Sequence, residues 1–313
     1  SHVRKSYNAA LQRHKSKINS QIYSKNRHIS RMKRTMIALL ALLTTFLCRA
    51  QDDTLRIMFW NVENFFDYRS ESAPKYWTRG RFHAKCDGIA KTILAFSDKY
   101  GGPPDIVGLA EVENLQVLRS LLSSTLLRKL GYTIVHYESP DHRGIDCALL
   151  YRRSRLHLAE SFPVHITDSA GSPMATRDIL VARFDSLTVM VNHHPSKIGG
   201  KSDRRRAAFS TMEETADSLM AAGAARILSI GDFNDDLWHQ HGLGTIKYNG
   251  NWEKIDGHFI YGNATIREEI FDTPSLLTAD KTFGGEKPRR TFVGPRYEGG
   301  LSDHLPIALM LTF

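Results

Sequence analysis

Residues 226–236 read RILSIGDFNDD, an apolar run that passes without a break into Gly231, Asp232 and Asn234. The stretch 226–230 has the length and aliphatic content of a buried strand, so the chain surfaces where an acid and an amide stand two residues apart. Alone, such a pair reads as an Asx-type turn, in which Asp or Asn bonds nearby backbone N–H groups. The pattern recurs, however. Residues 55–60 lead into Asn61 and Glu63, 106–110 into Glu111, and 189–191 into Asn192, His193 and His194, while Ser302-Asp303-His304 opens the run 305–313. Five strand ends carrying carboxylate, amide or imidazole point to one shared site rather than five unrelated caps.

Outward from these runs, short apolar segments broken by Gly, Pro, Asn and Asp predict strands over 55–62, 105–110, 132–137, 147–151, 156–166, 179–184, 187–192, 226–230, 255–260 and 305–313. Leu115, Leu118, Leu122 and Leu126 fall at helical spacing between Asn114 and Gly131. Phe209, Met212, Ala216 and Leu219 do so between Asp203, a cap, and Gly223, a stop. A weaker helical pattern covers 82–96. Strands come in pairs with helices inserted between pairs, which predicts an α+β fold of packed sheets rather than a doubly wound parallel sheet.

The chain has 313 residues and a formal charge of +9. That charge does not argue for nucleic acid, because residues 1–50 hold 11 Lys/Arg and no acid, leaving 31 basic against 33 acidic residues in 51–313. The N-terminal excess reads as targeting. A basic start at Met32-Lys33-Arg34, an apolar run over 36–47 and small residues at Cys48 and Ala50 predict a signal peptide over 32–50 with cleavage before Gln51. Residues 1–31 then read as an upstream non-structural segment and 51–313 as the exported domain, periplasmic or extracellular and monomeric, without stable membrane insertion. Export leaves two readings open for Cys86 and Cys147, a disulfide or two buried thiols.

The residue types suit hydrolysis of a phosphate ester. Attack on an anionic phosphate needs charge neutralised and a water held in line, and carboxylates such as Glu111 and Asp303 favour a hard cation, Mg²⁺ or Mn²⁺. Asp232 is placed to orient and deprotonate the water, the amides of Asn61 and Asn234 fix water and phosphate oxygen, and Asp232 and Asn234, two apart on an extended segment, present their side chains on one side of it. A histidine held by a carboxylate donates to the phosphoryl or leaving oxygen.

The set WNVEN (60–64), GLAEVEN (108–114), VNHHPSK (191–197), GDFND (231–235), KIDGHFI (254–260) and SDHLPI (302–307) resembles the endonuclease/exonuclease/phosphatase superfamily, the DNase I-like fold, and does so in order over nearly all of 52–313. The resemblance implies a four-layered α/β/β/α sandwich of two packed mixed sheets with a site at one rim. It assigns Asn61 to phosphate or metal-bound water, Glu111 and Asp303 to the metal, and Glu63 to a second acidic position beside it. It further assigns Asp232 and Asn234 to the nucleophile, His304 to the scissile phosphate and Asp256 to holding that histidine. His193, with its neighbour His194 as the alternative, protonates the leaving oxygen, and Glu138 orients it.

Two basic groups flank these motifs: Lys197, Lys201 and Arg204–Arg206, and Lys287, Arg289, Arg290 and Arg296. With Arg177 they suit a polyanion backbone, without aromatic interleaving for base reading. The resulting expectation is a nuclease of low sequence specificity. The alternatives are a lipid-headgroup or inositol phosphate hydrolase, or a catalytically silent binding module. The lipid reading calls for an exposed aromatic hairpin, and its only candidates, 65–68 and Tyr76-Trp77, read as packing.

Overall fold

Apolar runs of six or seven residues have nowhere to bury both faces except between layers, and the chain supplies enough of them for two sheets. The structure, a computed structural model, describes residues 36, 54–71, 73–197, 202–236 and 242–313. The chain divides into Ser1–Asp53 and Thr54–Phe313, and the elements below belong to the second unit. The signal peptide expected over 32–50 lies outside the described residues, Met36 excepted. Among the described residues no helix is long and apolar enough to cross a membrane.

In chain order the strands of the large sheets are β1 (Leu55–Phe65), β2 (Ile106–Val112), β3 (Tyr132–His136), β4 (Asp146–Arg152), β5 (Leu158–Val164), β6 (Ile179–Phe184), β7 (Thr188–His193), β8 (Ile227–Asp232), β9 (Asp256–Tyr261), β10 (Thr265–Ile270) and β11 (Ile307–Thr312). A six-stranded sheet runs β10-β11-β1-β2-β4-β3, and a five-stranded sheet runs β9-β8-β7-β6-β5. Each sheet holds one parallel pair, β1 with β2 and β7 with β8. Their carboxyl ends carry Asn61 and Glu111 in one sheet, His193 and Asp232 in the other.

Phe59, Leu149, Val191 and Ile230 fill the space between the sheets. Helices α1 (Arg79–Tyr100) and α2 (Leu115–Ser124) cover the outer face of the first sheet through Ile93 and Leu118 on Trp60. Helix α3 (Ser202–Ala221) covers the second through Met212 on Met190 and Ile227. This is the four-layered sandwich. The sheets approach so closely at Gly108 that a Cβ there would stand 2.9 Å from Ile230 Cδ1. Cys86 lies in the outer core and Cys147 between the sheets, both as free buried thiols, so the disulfide reading falls.

Local differences from the expected elements have physical causes. The helix expected from Asn114 to Gly131 ends at Ser124, where the Thr125 side chain accepts the Leu127 N–H and starts a separate 3-10 turn over Leu126–Lys129. Asp203 is not a cap but sits inside the first turn of α3, where its charge favours the helix dipole. Gly223 does stop that helix, at φ 94°, with its own N–H on Met220 O and the Ala224 N–H on Leu219 O, a Schellman ending.

Candidate active site

Strand ladders alone would point side chains alternately in and out, so presenting several polar groups to one rim requires breaks in the ladder. β1 and β2 both contain one. Register shifts between Asn61 and Phe65 on β1, and between Ala110 and Val112 where β2 meets β4, leave Glu63, Asn64 and Glu111 outside the regular pairing. Such bulges re-aim side chains. Among the described residues five non-glycine positions have left-handed backbone, and four of them, Glu63, Asn64, Glu111 and Asn234, line one cleft of about 630 Å³. Backbone strain gathered at one place is a mark of function.

Two hydrogen bonds cross from sheet to sheet at the floor of this cleft. Asn61 Nδ2 donates to Asp232 Oδ2 at 3.0 Å, and His304 Nδ1 lies 2.8 Å from Asp256 Oδ2. His304 Nε2 stands 3.8 Å from Asp232 Oδ2 and 3.9 Å from Asp303 Oδ1. The histidine loop is pinned to β1: Ser302 Oγ donates to Asn61 O at 2.6 Å and accepts the His304 N–H, and Trp60 Nε1 donates to His304 O at 2.9 Å. Ser302 and Trp60 are positioning residues that the motif reading passed over.

Electrostatics divides the roles. Burial opposes charge on His304, but Asp256 and Asp232 outweigh it and hold the imidazole well above the ordinary histidine range, so it is a cation. Burial, then the charge of Asp256, pushes Asp232 up to about 7, the range of a general base at neutral pH. His193 shows the reverse: burial and the charges of Arg177 and Arg143 hold it well below its ordinary value. Its Nε2 lies 3.7 Å from Asp232 Oδ2 and 3.9 Å from Glu111 Oε1. The positive charge of the pair therefore resides on His304, and His193 contributes a neutral imidazole to the wall.

Asn234 accounts for both readings of the opening motif. Its N–H bonds Asp232 Oδ1 at 3.0 Å, an Asx turn, while its Nδ2 donates to His194 O at 3.0 Å. With φ at 51° it does not continue an extended segment, yet the turn still brings both side chains to the cleft. His194 is no alternative to His193: it is enclosed by Phe209 and Phe233, ring centroids 4.5 and 5.1 Å away, with burial pulling it down to about 3.

Three expectations need correction or refinement. Glu138 does not orient His193; it is exposed, 4.0 Å from His136 Nδ1 and beside Asp146 at the start of the loop after β3, and only the later part of that loop, Asp141–Arg143, lines the cleft. Glu63, expected beside the metal, is occupied: Arg290 Nε donates to its Oε1 at 2.7 Å and the Thr291 N–H to Oε2 at 3.3 Å. Beneath it the buried Lys85 ammonium bonds the Glu63 carbonyl and Thr291 Oγ1, and burial brings this lysine down to about 8. Arg177 and Lys197 do line the cleft, but each already has a partner, Asp141 at 3.2 Å and Glu253 at 2.9 Å. Arg143, unremarked in the sequence, joins them by bonding Asn64 Oδ1 at 2.7 Å and Glu111 Oε2 at 3.2 Å.

The donor set fits a hard divalent cation. Glu111 takes the Asn64 N–H and Arg143 on Oε2, leaving Oε1 toward the cleft, and Asp303 lines the same cleft half-buried. These are carboxylate oxygens with no thiol among them. A second cluster, Asp232, Asp256 and His304, is spoken for by its internal hydrogen bond.

With this geometry in view, the sequence matches the Endonuclease/Exonuclease/phosphatase family over residues 56–247. No curated protein sequence matches. Solved structures with similar folds include TDP2 from Caenorhabditis elegans, at TM-score 0.55 and 14% identity over 83% of this chain and 75% of that one. D. rerio TDP2 complexed with a single-strand DNA product gives 0.53 and 16% over 84% of this chain and 100% of that one. A mannosyl-6-phosphatase from Bacteroides thetaiotaomicron gives 0.54 and 18% over 83% and 100%. At such identities the likeness establishes the fold.

Proposed function

Because this chain belongs to the Endonuclease/Exonuclease/phosphatase family, whose members hydrolyse phosphate esters with a divalent metal ion, we propose that it is an Mg²⁺- or Mn²⁺-dependent phosphodiesterase acting on nucleic acid, with low sequence specificity. The observation that carries this reading is a buried Asp232–His304–Asp256 group beneath a cleft whose walls bear Arg143, Arg177, Lys197, Arg204 and Arg290. Basic side chains set along such walls suit contacts to a phosphate backbone, which carry no sequence information. The D. rerio relative with a single-strand DNA product supports the same substrate class.

Glu111 and Asp303 would hold the cation, which supplies Lewis-acid neutralisation of phosphate charge. Asp232 accepts the proton of the attacking water, which Asn61 and Asn234 orient. His304, charged and held by Asp256, donates a hydrogen bond to a phosphate oxygen as negative charge builds there. As the bond to the leaving oxygen breaks, that oxygen takes up a proton from solvent, because His193, expected to supply it, is neutral and, beside both Glu111 and Asp232, completes the wall. We place the functional domain at 51–313 and its action outside the cytoplasm, on the strength of the leader-like sequence at 32–50.

The mannosyl-6-phosphatase relative favours a second reading, a phosphomonoesterase on sugar phosphates. Incubating the purified protein with plasmid DNA, RNA and mannose 6-phosphate, in Mg²⁺, Mn²⁺ or EDTA, separates the two. Metal-dependent nicking that His304→Ala abolishes supports the nuclease. Release of inorganic phosphate from the sugar alone replaces it.

A further inference from the structure

Beside the catalytic cleft lies a second pocket of about 370 Å³, walled by Phe66, Tyr76, Trp77 and Phe292. It shares Glu63, Asn64 and Arg290 with the cleft, so the two are continuous across the Arg290 guanidinium. Its size falls in the range of sites for small ring-bearing ligands, about 300–1,000 Å³.

The walls are built for stiffness. Trp77 is buried, its Nε1 donating to Phe66 O at 2.7 Å, and its ring meets Phe292 at 5.6 Å between centroids. The Phe292 ring meets Tyr76 at 4.8 Å. Arg81 braces this group from behind: its guanidinium lies 4.8 Å from the Tyr297 ring and 5.6 Å from Phe292. Packing thus accounts for Trp77, but Tyr76, in ring contact with Phe292, keeps 37% of its surface exposed at the pocket wall. At the shared border, Arg290 is fixed by Glu63 and stands 3.2 Å from Asp303 Oδ2. A substrate phosphate at Asp303 and His304 therefore has a cation beside it and, past that cation, an aromatic recess.

We propose that this recess is a subsite for the nucleobase of the nucleotide flanking the scissile phosphate, with Tyr76 as its stacking surface. A flat ring attached to a phosphate is the group that an aromatic wall next to a guanidinium recognises, and stacking on such a wall is tolerant of base identity. The inference rests on the nucleic-acid reading and deepens it, giving the low-specificity cleft a grip on bases as well as backbone. Tyr76 determines affinity and takes no part in the bond cleavage.

Steady-state kinetics on a single-stranded DNA oligonucleotide, and on the same oligonucleotide with abasic residues flanking the cleavage position, tests it in wild type, Tyr76→Ala and Tyr76→Phe. Tyr76→Ala is expected to raise KM for the intact oligonucleotide by about 10-fold with kcat little changed, and Tyr76→Phe to restore it. On the abasic substrate, wild type and Tyr76→Ala should be equal. Equal KM values on the intact oligonucleotide, or the same loss on both substrates, would overturn the subsite while leaving the nuclease standing. Failure of the wild type to cleave any oligonucleotide would overturn the nuclease reading, and the subsite with it.

Discussion

Nδ1 of His304 lies 2.8 Å from Oδ2 of Asp256, and the two residues belong to opposite sheets: His304 precedes β11 and Asp256 opens β9. The charge that the cleft offers to a phosphate therefore depends on a carboxylate delivered by the other half of the sandwich.

Replacing Asp256 by Asn should return the His304 imidazole toward its ordinary range, which an NMR titration of its ring signals reads directly. Activity at neutral pH should fall by roughly 10–100-fold, the usual worth of a group that orients another, and His304→Ala should cost roughly 10²–10⁴-fold. Stability carries the same signature. With the folded value above the unfolded one near 6.5, the contribution of His304 is fully present below that pH and is lost as pH rises through the folded value. Denaturant melts at pH 6 and pH 9 should show this loss in wild type and not in Asp256→Asn.

A base held at about 7 sets the acid side of the rate profile. kcat/KM should fall below about pH 7, tenfold per pH unit, as Asp232 gains its proton. A profile flat down to pH 5 would remove Asp232 from the role of base.

Glu111 sits at φ 64°, where any side chain is strained and glycine is not. Glu111→Gly and Glu111→Ala both delete the carboxylate and should both abolish metal-dependent turnover. The glycine variant should nevertheless be the more stable of the two, by about 1 kcal/mol in urea melts.

Glu63 holds Arg290 by a 2.7 Å hydrogen bond, so its loss should loosen a phosphate-binding cation rather than a metal ligand. Glu63→Gln is expected to raise KM about 10-fold and leave the Mg²⁺ concentration for half-maximal activity unchanged, whereas Asp303→Asn should shift that concentration. A metal shift in Glu63→Gln equal to that of Asp303→Asn would put Glu63 back among the ligands.

Gly231 delivers Asp232 along β8 past Asn192 of β7, and a Cβ there would stand 2.6 Å from the Asn192 carbonyl oxygen. Backbone cannot yield as a side-chain tip can. Gly231→Ala should cost more than about 2 kcal/mol in thermal or urea melts, well above an ordinary surface change.

Periodicity made most strands legible, since buried runs such as 106–110 and 227–230 have no other use for their side chains. β10 escaped because Arg267, Glu268 and Glu269 make it read as a polar connection. It survives beside β11 with its acids paired, Glu268 with Lys254 and His258, and Glu269 with Lys99 and Tyr100. Helix α1 read weakly because a buried lysine, Lys85, interrupts its apolar face, and its partners, the Glu63 carbonyl, Thr291 and the rings of Phe65 and Trp77, all lie outside the helix. In the site, carboxylates and imidazoles stood out because strands delivered them one after another. Arg143 did not, because a lone arginine in a loop carries no periodic signal. Glu138 misled because its neighbours imitate a motif while the loop geometry, invisible in one dimension, carries it elsewhere. Glu63 is placed beside the metal by the resemblance, but its partner Arg290 lies more than two hundred positions away.

β11 lies between β10 and β1, in the interior of the first sheet, and the loop just before it brings Ser302, Asp303 and His304. During synthesis Glu111, His193, Asp232 and Asp256 are all made earlier, but they remain parts without a machine. Only when residues 302–312 have emerged and docked beside β1 does the cleft acquire Asp303 and the His304 imidazole. The order of the sheet is thus a timing device: the parts made earlier become one cleft only when this last interior strand is in place.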